Sequence, residues 1–292
     1  MTRLDTQPRH AVVVGVDGSA AAHRALDVAV DEARRLHRPL HVLHATGVGI
    51  VPWTTERLGV QDLVSEAAAQ RAREAAPDLE VTRETVVADP AAALVAASRT
   101  ADLVVVDAGG LGRASGILLG STSRAVAAHA GCPVLLTPHA GDWSTHGPVV
   151  VGVDASEHSV PAVAWAFAEA SARGTALLAV HTWWWEEPDP FLSGRDWEGA
   201  WRDVAETQRL EVAEMLAGWQ EKYPDVQVST TLVRGHAATV LAEESRDGQL
   251  LVVGSRGRGG FTGLLLGSVS ASLITHTRCP LTVVPSTHRP VD

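Results

Sequence analysis

The chain has 292 residues, 46% of them hydrophobic and 20% charged, with a formal net charge of −10. That length suits about two globular domains, each large enough to bury a core. The acidic balance gives no basic footprint for nucleic acid or an anionic membrane surface. Met1 to His10 is polar without an apolar h-region, and no run reaches the roughly 18 apolar residues of a membrane span, so a soluble cytoplasmic protein is expected. Two cysteines, Cys132 and Cys279, cannot build a framework of the secreted type. Each precedes a proline and a final strand, which reads as a small buried residue.

In chain order, Val12 to Val16 is a short β-branched strand that ends in Asp17-Gly18-Ser19. Ala20 to Leu36 carries apolar residues at helical spacing, Leu40 to His44 is a second strand, Val64 to Ala76 a second helix and Val81 to Val86 a third strand. Asp89-Pro90 and Ser98 bracket a third helix, and Asp102 to Val106 forms the fourth strand. Gly110, Gly120 and Ser121 follow, and Cys132-Pro133 leads into a last strand, Val134 to Thr137. His139 to Pro148 is a Gly/Pro/polar linker.

The series then repeats. Val149-Val-Val-Gly152-Val-Asp154 restates the first strand at an offset of 137, and Leu177 to His181 restates the second. Val228 to Val233, Leu250 to Val253, Gly267-Ser268 and Cys279-Pro280 restate the rest at 147, so the second half has gained ten residues after its second strand. That expansion holds Trp183, Trp184, Trp185, Trp197 and Trp201, which suit either local packing or a partner surface. A period this long is a domain duplication and not a solenoid; the halves are expected at 1–141 and 142–292. Strands separated by helices imply right-handed crossovers and a parallel sheet covered on both faces, hence a doubly wound α/β fold in each half.

Two polar motifs stand at strand C-terminal ends in each half: the aspartate after strand one and the glycine-rich turn after strand four. One ligand can meet both only if those strands are neighbours, which predicts the order 3-2-1-4-5. In the second half the turn reads Gly254-Ser255-Arg256-Gly257-Arg258-Gly259-Gly260 and reaches a helix at Gly267-Ser268-Val269. Such a turn aims free backbone N–H groups and a helix dipole at one spot, where an anion can sit. Glycine permits close backbone approach, a serine at the helix N-cap offers its hydroxyl, and Arg256 and Arg258 suit phosphate oxygens. Asp154 taken alone suits an Asx turn or a helix cap equally well.

Several chemistries are absent. A P-loop needs G-x4-G-K-[ST], and the chain's one lysine is Lys222; a dinucleotide fingerprint would follow the first strand, where Asp17 or Asp154 stands instead. No zincin pattern involves the 13 histidines, and His44 and His181 read as structural or pocket-lining. No G-x-S-x-G elbow occurs, and no histidine adjoins Ser121 or Ser268 in the sequence.

The spacing Gly254-x2-Gly257-x9-Gly267-Ser268 resembles the ATP-binding branch of the universal stress protein family, and the resemblance covers nearly the whole chain in tandem. It implies two five-stranded adenine nucleotide alpha hydrolase-like (Rossmann-like) sheets and ATP as ligand, with Mg2+ as its natural companion. It further implies a nucleotide-dependent stress-response regulator with slow hydrolysis at most, acting on an unidentified protein partner. The residues carried over are Gly152, Asp154, Gly254 to Gly260, Gly267, Ser268 and Val269 in the second half, with Gly15, Asp17, Gly110, Gly120 and Ser121 in the first. Members commonly dimerise through their last strands; here Val134 to Thr137 and Leu281 to Val284 are expected to pair antiparallel within the chain, and a homodimer is compatible with the sequence.

The first half departs from the pattern, with Asp107, Gly109, Leu111 and Ala88 where the second has Gly254, Arg256, Arg258 and Gly235. A carboxylate about 5 Å from a phosphate at an effective dielectric of 20 costs roughly 3 kcal/mol, so the first site is expected to be the weaker. A nucleotide-free interaction module is the alternative reading. An ATP-cleaving or adenylyl-transferring enzyme is disfavoured, because neither a HIGH nor an S-G-G-x-D-S loop occurs.

Overall fold

A computed structural model describes residues 7–47, 55–109, 120–138, 143–183, 197–258 and 265–288, with side chains for all of these except 55–61 and 197–203. The first half runs β1 (Val12–Val16), α1 (Ala20–Arg35), β2 (Leu40–Ala45), α2 (Thr55–Ala75), β3 (Val81–Val86), α3 (Pro90–Ala97), β4 (Leu103–Asp107), α4 (Ser121–His129) and β5 (Val134–Thr137). The second repeats it as β6 (Val149–Val153), α5 (Val160–Arg173), β7 (Leu177–Trp183), α6 (Trp197–Lys222), β8 (Val228–Arg234), α7 (Ala237–Glu244), β9 (Leu250–Gly254), α8 (Ser268–His276) and β10 (Leu281–Val284).

The valine runs become strands because their side chains are buried on both faces. Val12 and Val14 pack with α1 and α2 residues, whereas Val13 packs on the opposite side with Leu94 and Val126 of α3 and α4. Caps fix the helix starts: Ser19 Oγ accepts from Ala22 N–H at 3.1 Å, and Asp89 accepts from Ala92 N–H at 2.9 Å ahead of Pro90, which are donors a helix leaves unpaired. α2 starts at Thr55 rather than Val64, and α6 at Trp197 rather than Trp201. The extra first turns of α2 contain Gly59, a poor helix former that weakens the local helix signal.

Each half has the strand order 3-2-1-4-5, and the two merge into one ten-stranded sheet, β3-β2-β1-β4-β5-β10-β9-β6-β7-β8. Within a half every pair is parallel; β5 and β10 join antiparallel with Leu281 opposite Leu136 and Val283 opposite Val134. Joining the two fifth strands removes an open edge from each half. Among the described residues no helix is long and apolar enough to cross a membrane.

A buried ion cluster bridges the halves beside this seam. Glu32 of α1 and Glu169 of α5 occupy equivalent positions and are 2% and 3% exposed. Arg173 reaches both, at 2.5 Å to Glu32 and 2.8 Å to Glu169. Arg35 adds a second cation at 2.6 Å from Glu32, and Gln249 ties Arg173 (3.2 Å) to the carbonyl of Gly147 (2.7 Å). Burial and the charge of Glu32 push the Glu169 carboxyl up to about 7, against the pull of Arg173.

Candidate functional site

A cavity of about 620 Å3 opens at the C-terminal ends of β6, β7 and β9, where an open α/β sheet gathers its ligands. One wall is apolar: Val180, Leu241, Val253 and Ala237. The rest is polar, with Asp154, Ser159, His181, Thr182, Gln208 and the glycine turn, and the side chain of Trp183 at the end of β7. Gly152 lets α7 seat against the sheet, since a Cβ there would lie 2.9 Å from Leu241 Cδ1. Gly15 makes the same room for Leu94 at 3.0 Å.

The anion-binding side is built by α8. Its N-cap is Gly267, without a side-chain cap, and Ser268 is the first helical residue rather than the expected cap. Ala271 N–H is the first to bond back into the helix, to Gly267 O at 2.9 Å. The N–H groups of Ser268, Val269 and Ser270 therefore precede the intrahelical ladder, and all three residues line the cavity. Gly254, Arg256, Gly257 and Arg258 close the other side, with Arg256 exposed at the mouth. Ser255 does not line this cavity. It is 5% exposed, and its hydroxyl is taken up by the chain just after β10, where it accepts from Ser286 N–H at 3.3 Å.

Asp154 joins the strand-one turn to the glycine turn. Its Oδ1 accepts from Ser156 N–H (3.0 Å), Ser156 Oγ (2.6 Å) and Ser159 Oγ (2.5 Å). Oδ2 accepts from Arg258 N–H at 2.7 Å. Burial alone would raise this carboxyl, but those bonds hold it below the usual aspartate range, so it is an anion at neutral pH. Gly257 is needed beside it, as a Cβ would stand 2.5 Å from Oδ2. Ala155 follows with φ 55°, where the first half has Gly18 at φ 79°. A non-glycine residue in the left-handed region is strained, and the Ala155 carbonyl accepts from Arg258 Nη2 at 3.3 Å.

Two α6 residues complete the site. His181 Nδ1 lies 2.8 Å from Val153 O and its Nε2 2.7 Å from the Gln208 carboxamide. Gln208 Nε2 donates to Glu211 at 3.2 Å, and Glu211 pairs with the Arg258 guanidinium at 2.9 Å. Neither α6 residue is distinguishable in the sequence from other polar positions of a long helix, although Gln61 stands at the equivalent position of the first half. Asp154 is the one carboxylate among the described residues lining the cavity. No group of three or more metal-ligating side chains occurs among the described residues.

The first half is arranged differently. Asp17 accepts from the local Ser19 N–H at 2.9 Å. Asp107, at the position of Gly254, caps its own loop by accepting from Gly109 N–H at 2.8 Å; Thr137 Oγ1 lies 3.4 Å away and Arg24 4.0 Å away. Gly120 caps α4 but is packed tightly, since a Cβ there would lie 2.5 Å from Ser123 Oγ and 2.8 Å from Ala108 O, and Ser121 begins that helix. Gly110, Leu111, Gly259, Gly260, Trp184 and Trp185 lie outside the described residues, as do the side chains of Trp197 and Trp201.

The model of the universal stress protein family matches residues 8–138 and again 146–285. Universal stress protein Rv2005c of Mycobacterium tuberculosis is 40% identical over 296 aligned residues, covering 95% of this chain and 98% of its own. Universal stress protein Rv2623 of the same organism is 38% identical, covering 93% and 95%. Among solved structures, a universal stress protein from Archaeoglobus fulgidus superimposes with a TM-score of 0.70 at 20% identity, covering 94% of this chain and 96% of that one; it is similar in fold.

Proposed function

The chain belongs to the universal stress protein family, and we propose that its second half binds ATP in the 620 Å3 cavity as a nucleotide-dependent regulator of the stress response. The observation that carries this reading is the side-chain-free cap at Gly267. It leaves the first-turn N–H groups of α8 beside Arg256 and the glycine turn, in one polar recess next to an apolar wall. A triphosphate needs the first environment and a purine the second. The adenosine lies along the ends of β6 and β7, against Asp154 and the Val180–Leu241–Val253 wall. The ribose and phosphates follow the glycine turn to Ser268 and Val269. With a single carboxylate among the described lining residues, no cation cage occurs among them; Mg2+ arrives on the triphosphate.

The same geometry argues against rapid turnover. A general base needs a lone pair within reach of the attacking water. Both ring nitrogens of His181 are engaged, and Asp154 is an acceptor of four hydrogen bonds. ATP binding therefore acts by favouring one conformation or partner complex over another. The self-capped Asp107 loop supports the alternative of a nucleotide-free interaction role for the first half.

Phosphate release by the purified protein is the test of mechanism. It should fall far below the roughly 1 to 1,000 per second of dedicated enzymes, while calorimetry detects ATP binding; turnover within that range would overturn the regulator reading. Mass spectrometry of small molecules released on denaturation separates nucleotide binder from nucleotide-free module.

A further inference from the structure

The glycine turn of the second half is tied to α6 by an ion pair, Glu211 to Arg258 at 2.9 Å, with both side chains about half exposed. The first half keeps this position apolar: Val64 stands where Glu211 does and Leu111 where Arg258 does. The two positions thus change character together, ionic in the half with the glycine-rich turn and apolar in the other. A guanidinium can be drawn from a carboxylate by a competing oxyanion.

We propose that Glu211 is a specificity-determining residue of the second site: it holds Arg258 by an ion pair that an incoming phosphate must displace, so it lowers the preference of the site for phosphate-bearing ligands over adenosine. This rests on the nucleotide reading of the cavity. The Arg258 backbone stays on Asp154 while its guanidinium exchanges partners, so the exchange needs no rearrangement of the glycine turn. An exposed ion pair is weak enough for phosphate to win, and its competition lowers affinity by up to about fivefold.

Glu211→Gln tests the idea, since glutamine keeps an acceptor for Gln208 and removes only the charge. Calorimetric titrations with ATP and with adenosine should show ATP binding tightened by roughly two- to fivefold and adenosine unchanged. In an Arg258→Gln background the same substitution should give no gain. Equal tightening of adenosine and ATP, no tightening of ATP, or a gain that persists without Arg258 would each overturn the assignment. If the unaltered protein binds neither ligand, the nucleotide reading itself fails and this inference falls with it; if it binds ATP and Glu211→Gln matches it, only the inference fails.

Discussion

Replacing Arg173 with methionine should show how strongly the seam between the halves depends on one buried cation. Methionine keeps much of the length and removes the charge, leaving Glu32 and Glu169 facing each other with only Arg35 in contact, at 2.6 Å from Glu32. Both carboxylates are nearly inaccessible, and breaking a buried pair from one side costs about 3–5 kcal/mol. The pH dependence follows from Glu169, whose carboxyl stands at about 7 in the fold against roughly 4.3 for an unperturbed glutamate. Because its folded value is raised, the folded state holds a proton that the unfolded chain has lost, and stability falls as pH rises through that window. Removing Arg173 deepens the fall. Urea unfolding at about pH 5 and about pH 8 should therefore show a loss near the upper end of that range at the higher pH and a clearly smaller one at the lower. Adding Glu169→Gln to Arg173→Met should recover much of the loss at the higher pH. A loss below about 1 kcal/mol, or one independent of pH, would refute the argument that the cluster is a strained buried charge set.

Gly267→Ala should fold normally, costing at most about 1 kcal/mol, because its Cβ would meet nothing closer than Ser255 O at 3.4 Å; thermal melts check this. Gly120→Val is not a quiet control for it: the contacts of 2.5 Å and 2.8 Å at that Cβ predict a loss of about 1–3 kcal/mol from overpacking, seen in the same melts. Asp107→Gly should let the first half bind ATP measurably, since it removes a charge worth roughly 3 kcal/mol against phosphate, and calorimetry should register the added binding. Cys132 should resist thiol reagents in the native protein and react on unfolding, because burial pushes its thiol up to about 12 and only the thiolate is nucleophilic.

The fold was legible because its strands are short valine-rich runs buried on both faces and because the chain states the pattern twice. Asp89-Pro90 and Ser98 marked α3 within a residue at each end. What stayed hidden is what tertiary contact decides. The bond from Arg258 N–H to Asp154 spans 104 residues, and nothing local announces it; nor does periodicity show that Gln208 and Glu211 would turn one face of α6 toward the glycine turn. Ser268 read as a cap, but the preceding glycine takes that position.

The central claim is that the second half carries the ATP site and the first does not match it. Titrating ATP into the unaltered chain and into Gly267→Val by calorimetry tests this most directly, with circular dichroism confirming that both are folded. The account predicts a single tight site per chain that disappears in Gly267→Val, because a branched side chain at the helix cap blocks approach to the N–H groups of Ser268 and Val269. Two equivalent sites per chain, or unchanged tight binding in Gly267→Val, would contradict it.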